Sequence, residues 1–137
     1  MPYGKSAFGF EDLELYRAAR SYRKSIYSLI ESLPVDERFA LAQQMRRAAV
    51  SLTNNIAEGY GRYNWQETIQ FIRQSRGSLM ELVDDLNICE DQSYADASLL
   101  RQIQADSKGV LRLLNGYIRY LEQRKATSKQ GKPKVAN

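Results

Sequence analysis

Arginine and lysine recur at helical spacing along the 137-residue chain: Arg20, Arg23 and Lys24, then Arg46 and Arg47, then Arg62, Arg73 and Arg76, then Lys108 and Arg112. Such side chains bind phosphate through charge-assisted hydrogen bonds, and arginine does so with two parallel donors. Other chemistry is thinly supplied. There is no histidine, which excludes imidazole acid–base catalysis, Ser-His-Asp and Cys-His nucleophile systems, and metal sites that need imidazole. Cys89 is the only cysteine, so neither an intrachain disulfide nor a cysteine zinc site can form. In an apolar helical pattern it reads as a small core residue. No cofactor, no metal and no enzymatic activity are expected.

The elements that must position these cations are helical. Only Pro34 interrupts residues 3–132, and apolar residues recur every three or four positions. The first helix is expected over Phe10–Ser32, with the stripe Leu13, Tyr16, Ala19, Tyr22/Arg23, Ile26, Ile30 and Leu33. Pro34 follows its end. The second is expected from Asp36, as N-cap, to Glu58, with Leu41, Met45, Ala48, Leu52 and Asn55/Ile56 inward. Gly59 and Gly61 are expected to end it in left-handed cap conformations. Asn64 and Glu67 have capping-box spacing, so the third helix starts there and fades around Glu90–Gln92, on the stripe Trp65, Ile69, Ile72, Arg76, Leu79, Val83 and Leu86. The fourth runs from Asp96 to about Gln123, on Leu100, Ile103, Ser107, Val110, Leu114, Tyr117 and Leu121. Short connections make an all-α, antiparallel up-down-up-down four-helix bundle over residues 1–123. Residues 124–137 are expected to be a disordered basic tail.

Charge is uneven over this plan. The tail holds Arg124, Lys125, Lys129, Lys132 and Lys134 and no acid, a net +5, whereas the preceding 123 residues hold 15 bases and 16 acids, a net −1. Antiparallel hairpins bring Arg20, Arg23, Lys24, Arg46, Arg47, Arg73, Arg76, Lys108 and Arg112 into one middle band. Residues 77–106 are acidic, with Arg101 as the one base among seven acids. Two readings of the band stand side by side: salt-bridged, solvated helix faces, or a phosphate-binding surface. The loop Tyr60-Gly-Arg62-Tyr63-Asn64-Trp65 also has two readings. It is a stacking platform for unpaired bases, or a packed end in which Tyr63 acts as a hydrophobic staple and Trp65 closes the bundle. Asn55 and Arg76 fall on inward stripes, and Gly77-Ser78 place small residues in mid-helix. Asn55, Glu58, Arg47, Arg76, Gly77 and Ser78 are therefore expected in a structural network or subunit contact.

The run Gln44-Met-Arg46-Arg47-Ala48-Ala49-Val-Ser51-Leu-Thr-Asn54-Asn55-Ile56-Ala57-Glu58-Gly59-Tyr-Gly61-Arg62 resembles the signature of the four-helix-bundle proteins encoded in intervening sequences of bacterial 23S rRNA genes. Phe71 and Arg76-Gly77-Ser78-Leu79-Met-Glu81-Leu82 match its second block. Leu13, Tyr16, Tyr27 and Leu33-Pro34 fit its first helix, and the resemblance covers about residues 10–122. It implies a homo-oligomer, typically a ring-shaped pentamer, without assigned enzymatic activity. Related bundles are accessory proteins of diversity-generating retroelements, which bind nucleic acid and the element's reverse transcriptase.

Together these readings give a nucleic-acid-binding accessory protein for RNA or an RNA–DNA intermediate, its candidate contacts being Arg20, Arg23, Lys24, Arg46, Arg47, Arg62, Arg73, Lys108 and Arg112. The alternative is a protein-binding scaffold of the same family. No segment approaches the ~20 apolar residues of a membrane span, and MPYGKSAFGF lacks the apolar run of a signal peptide, so a bacterial-type cytoplasmic protein is expected.

Overall fold

A computed structural model of the chain describes residues 8–128. Among them are four α-helices, α1 (Glu14–Glu31), α2 (Leu41–Tyr60), α3 (Trp65–Asp91) and α4 (Ala97–Thr127), two 3-10 turns (Gly9–Asp12 and Val35–Glu37) and no strand. The helices contact one another in the cyclic order α1, α2, α3, α4 and back to α1. The α2–α3 contact is the most extensive and α1–α4 the least. Residues such as Ile26, Met45, Leu52, Ile72, Leu82 and Leu114 fill the shared interior. Their i, i+3, i+4 recurrence gives each helix one apolar stripe, which leaves water only by packing on the others.

α1 begins four residues later than its periodicity suggests. Leu13 is extended (φ −67°, ψ 132°), and the preceding turn folds back over the bundle. Phe10 packs edge-on to Tyr16 at 4.9 Å. Gly9 lies so close to Tyr60 that a Cβ there would stand 2.6 Å from its hydroxyl. The Arg17 guanidinium donates to the Asp12 carbonyl at 2.6 Å and holds the turn to the helix. The buried stripe accordingly starts at Leu15 and includes Leu29, while Leu13 and Tyr16 are half-buried.

α2 also starts late, at Leu41, and Asp36 does not cap it. The N-cap position is held by Ala40, and Glu37 supplies an acceptor from outside the helix: its Oε1 accepts from the Leu41 amide at 3.4 Å, and its Oε2 accepts from the Tyr94 hydroxyl at 2.7 Å. Neither Gly59 nor Gly61 adopts a left-handed conformation. Gly61 has φ −79°, and the one positive φ among the described residues belongs to Ser93, at 54°. Gly59 instead permits close approach: a Cβ there would meet the Phe71 Cβ at 2.8 Å and the Thr68 carbonyl at 3.3 Å. Left-handed Ser93 ends α3 in a Schellman pattern, Tyr94 amide to Cys89 carbonyl at 2.9 Å and Ser93 amide to Glu90 carbonyl at 3.2 Å.

The other two of the three predicted side-chain caps are present. Asn64 Oδ1 accepts from the Glu67 amide at 2.8 Å, and Asp96 Oδ2 accepts from the amides of Ser98 and Leu99 at 3.1 and 3.2 Å. Ser75 and Leu82 are buried in α3 where Arg76 and Val83 were expected, and Ile118 replaces Tyr117 in α4. The Ser75 shift has a polar cause. Ser75 Oγ donates to the Leu52 carbonyl at 2.6 Å, so this hydroxyl faces the α2 backbone. Arg124–Thr127 continue α4, so the predicted tail boundary moves outward; residues 129–137 lie outside the described residues.

Candidate functional site

Acid-free stretches of α1 and α2 carry a cluster of positive charge. On α1 no acid lies between Glu14 and Glu31, and on α2 none precedes Glu58. From these stretches Arg20, Lys24 and Arg46 are exposed, and Arg23 is half-buried beside them. Arg23 Nη1 donates to Thr53 Oγ1 at 2.7 Å, which ties α1 to α2 and fixes the guanidinium at the seam. The Arg46 guanidinium lies 5.8 Å from the Tyr27 ring centroid, so α1 and α2 meet there through a cation and an aromatic face. None of these four cations is in an ion pair among the described residues, whose ion pairs are Arg47–Glu81, Arg62–Glu58 and Arg73–Glu122.

The remaining predicted contacts are placed differently. Arg47 pairs with Glu81 across α2–α3 at 3.4 Å, and Arg73 with Glu122 across α3–α4 at 2.8 Å. Arg62 pairs with Glu58 at 2.6 Å and covers the Phe71 ring at 4.7 Å. Arg76 donates to Asn115 Oδ1 at 2.8 Å. Lys108 borders a groove between α3 and α4, and Arg112 borders one between α1 and α4 with Glu14 and Asp106. The expected single band is thus a belt that wraps the bundle. Each helix turns about 100° per residue, so equal height does not mean a shared face.

The expected network of Asn55, Glu58, Arg47 and Arg76 is four separate contacts. Asn55 Nδ2 donates to the Ser51 carbonyl at 2.9 Å and to Ser51 Oγ at 3.0 Å, and Ser78 Oγ donates to Ser51 Oγ at 2.9 Å. That local chain joins neither Arg47 nor Arg76. Gly77 is exposed, and a Cβ at this position would meet nothing within 4 Å, so no neighbouring helix approaches it closely.

Two polar groups matter to the interior: Asp85, which the sequence reading counted only as surface charge, and Tyr22, which it placed on the inward stripe. Asp85 is buried, accepts from Gln44 Nε2 at 2.6 Å on one oxygen, and has no partner on the other. Burial pushes its carboxyl up to about 6, with Glu81 and Asp84 adding repulsion against the opposing Gln44 bond and Arg47 charge. Tyr22 reaches the interior, where its hydroxyl lies 2.7 Å from Ser107 Oγ. Cys89 is buried and its thiol is pushed up to about 11, mainly by desolvation, which keeps it protonated at neutral pH. No group of three or more Cys, Asp or Glu side chains among the described residues is placed to hold a metal ion. No described helix is long and apolar enough to cross a membrane.

In the Tyr60–Trp65 loop Trp65 and Tyr63 part company. Trp65 is buried and the Arg124 guanidinium lies 5.6 Å from its ring, so it does close the bundle end. Tyr63 is 64% exposed and does not serve as a staple.

The chain matches the 23S rRNA-intervening sequence protein family over residues 11–116. It belongs to that family. A solved structure from Bacteroides thetaiotaomicron VPI-5482, described as a protein of unknown function from the S23 ribosomal protein family, is similar in fold. The TM-score is 0.70 at 20% identity, covering 77% of this chain and 98% of that one. No curated protein matches the chain. The family match includes both acid-free stretches of α1 and α2 and ends within α4.

Proposed function

We propose that this chain is a non-enzymatic, homo-oligomeric nucleic-acid-binding accessory protein that holds a phosphate backbone on the outer face of α1 and α2. The observation that carries this reading is the group Arg20, Arg23, Lys24 and Arg46, exposed or half-exposed and without an acidic partner. Unneutralised cations on a rigid surface attract a polyanion and release its counterions on binding. The family's name connects its members with 23S rRNA intervening sequences, which favours RNA as the ligand. The resemblance to retroelement accessory proteins adds a reverse transcriptase as partner and a pentamer as the assembly, in the cytoplasm. The antiparallel up-down order belongs to the same reading. It is supported by α2–α3 contacts that couple rising with falling numbers, Gln44 with Asp85, Ser51 with Ser78 and Gly59 with Thr68.

The test is Arg20→Gln combined with Arg46→Gln, assayed for RNA and duplex DNA binding over a salt series. Each lost phosphate contact should lower the log–log salt slope by about 0.7–0.9, and affinity at moderate salt should fall about tenfold or more. Thermal stability should hold, since both side chains are exposed. A flat salt dependence of the wild type, or a double variant that binds like it, overturns the reading.

One observation favours a protein-binding scaffold instead. Met80 is 43% exposed beside Val83 and Leu111 in the α3–α4 groove of about 360 Å³. Met80→Asp that abolishes partner capture while salt-dependent nucleic-acid binding is absent would favour that alternative.

A further inference from the structure

α4 carries a second basic surface, which shares Lys108 and Arg112 with the belt of predicted contacts and extends beyond it to Arg119 and Tyr120. From Ser107 to Leu121 it has no acid, and Lys108, Arg112, Arg119 and Tyr120 are exposed along it. Arg112 and Arg119 are seven residues apart, each three residues after a glycine. Arg112 Nη2 lies 4.0 Å from where a Cβ on Gly109 would stand, and Arg119 Nη2 lies 3.8 Å from the same point on Gly116. Both guanidinium groups therefore fold back along the helix, over ground the missing side chains leave open. Neither is in an ion pair among the described residues. Seven residues span about 10.5 Å of helix, close to three base steps of a strand at about 3.4 Å each.

Tyr120 adds a feature that a duplex backbone would not use. Its ring is 50% exposed and lies 6.0 Å from the Tyr117 ring at an interplanar angle of 10°. Tyr117 is half-buried and packs against the core, so it backs the outer ring. A ring presented to solvent, backed by a parallel ring and next to Arg119, has the form of a stacking platform for an unpaired base.

We infer that the outer face of α4 binds single-stranded nucleic acid, with Arg112 and Arg119 on its phosphates and Tyr120 stacked on a base. The inference rests on the nucleic-acid reading above and adds the single-stranded substrate class. Glu14 and Asp106 line the α1–α4 groove with Arg112, and Glu122, three residues beyond Arg119, is engaged by Arg73.

The experiment uses the full chain, with single-stranded oligodeoxythymidylate and an abasic strand of equal length as probes. Wild type should prefer the base-bearing strand by about five- to a hundredfold. Tyr120→Ala should erase that preference and leave the salt slope unchanged, while Tyr120→Phe should keep it. Arg112→Gln with Arg119→Gln should lower the slope by about 1.4 on both strands. Equal wild-type affinity for the two strands, or a preference that survives Tyr120→Ala, overturns the inference alone. Salt-independent or absent binding overturns the nucleic-acid reading with it.

Discussion

On the outer face of α1 and α2, Arg20, Lys24 and Arg46 stand without an acid, whereas along the α2–α3 seam the polar groups face one another. There Arg47 meets Glu81, Gln44 meets Asp85, Ser78 meets Ser51, Ser75 meets the Leu52 carbonyl, and Thr68 Oγ1 donates to the Gly59 carbonyl at 2.9 Å. The residue types overlap, but the partners differ. In the seam small hydroxyl residues and a glycine let two helices approach until side chains reach the opposing backbone. On the outer face long cations are left unsatisfied by the fold. Polar residues in the seam therefore affect cohesion first, and those on the outer face affect what binds.

The seam should break most sharply at Gly59. Gly59→Ala drives a methyl into the Phe71 Cβ at 2.8 Å, with the Thr68 carbonyl behind it at 3.3 Å, and neither atom is the end of a flexible chain. Overpacking of this kind costs about 2 kcal/mol, several degrees in thermal unfolding. Gly77→Ala is the matched control in α3, because that position is open and helix propensity alone should raise stability by about 1 kcal/mol. Similar effects from the two substitutions would show that the seam is not tightly packed.

Asp85 tests the same seam through its charge. Its folded carboxyl, raised to about 6 from 3.8, holds a proton that the unfolded chain gives up earlier. Protonation therefore favours the fold. Stability should fall as pH rises from about 4 to 6 and level off above, once the buried carboxylate is ionised. Glu81 and Asp84 on α3 oppose the ionised form and Arg47 on α2 favours it. Asp85→Asn can still accept from Gln44 and has no charge to desolvate. It should gain on the order of 1 kcal/mol at about pH 8 and lose the slope. Urea unfolding across that range reads both, and an Asn variant less stable than wild type at high pH would show that the carboxylate is well solvated.

Much of this arrangement was legible in the residues, unevenly. Four helices, the Asn64 and Asp96 caps and most inward positions follow from apolar periodicity and cap chemistry. α3 misled the pattern because its inward face at Ser75, Ser78 and Asp85 is polar, and a stripe drawn through apolar residues lands on Arg76 and Val83 instead. The belt of cations was legible by height but not by side, since the partners Glu81, Glu122 and Asn115 are revealed only by contact across helices. Arg119 and Tyr120 were missed although the acid-free run from Ser107 to Leu121 is plain in the chain. Glycine was read as a cap at Gly59, where the structure uses it for closeness.

The left-handed position that was sought at Gly59 or Gly61 is at Ser93, and it yields the smallest expected effect. Ser93 has φ 54° and closes α3 through its own amide to Glu90 and through the Tyr94 amide to Cys89. A side chain at that φ brings Cβ close to the following carbonyl oxygen, a clash glycine avoids. The same residue begins the connection that carries Tyr94 to Glu37, the group that accepts from the Leu41 amide at the start of α2. Ser93→Gly should thus relieve strain without moving the cap, raising stability by about 0.5 kcal/mol once the greater freedom of glycine in the unfolded chain is set against it. The gain should come with no change in nucleic-acid affinity, because Ser93 belongs to the α3–α4 connection and not to the helices that carry the α1–α2 cations. A loss of stability, read by the same urea unfolding, would show that the Ser93 side chain contributes a contact worth more than the strain it causes.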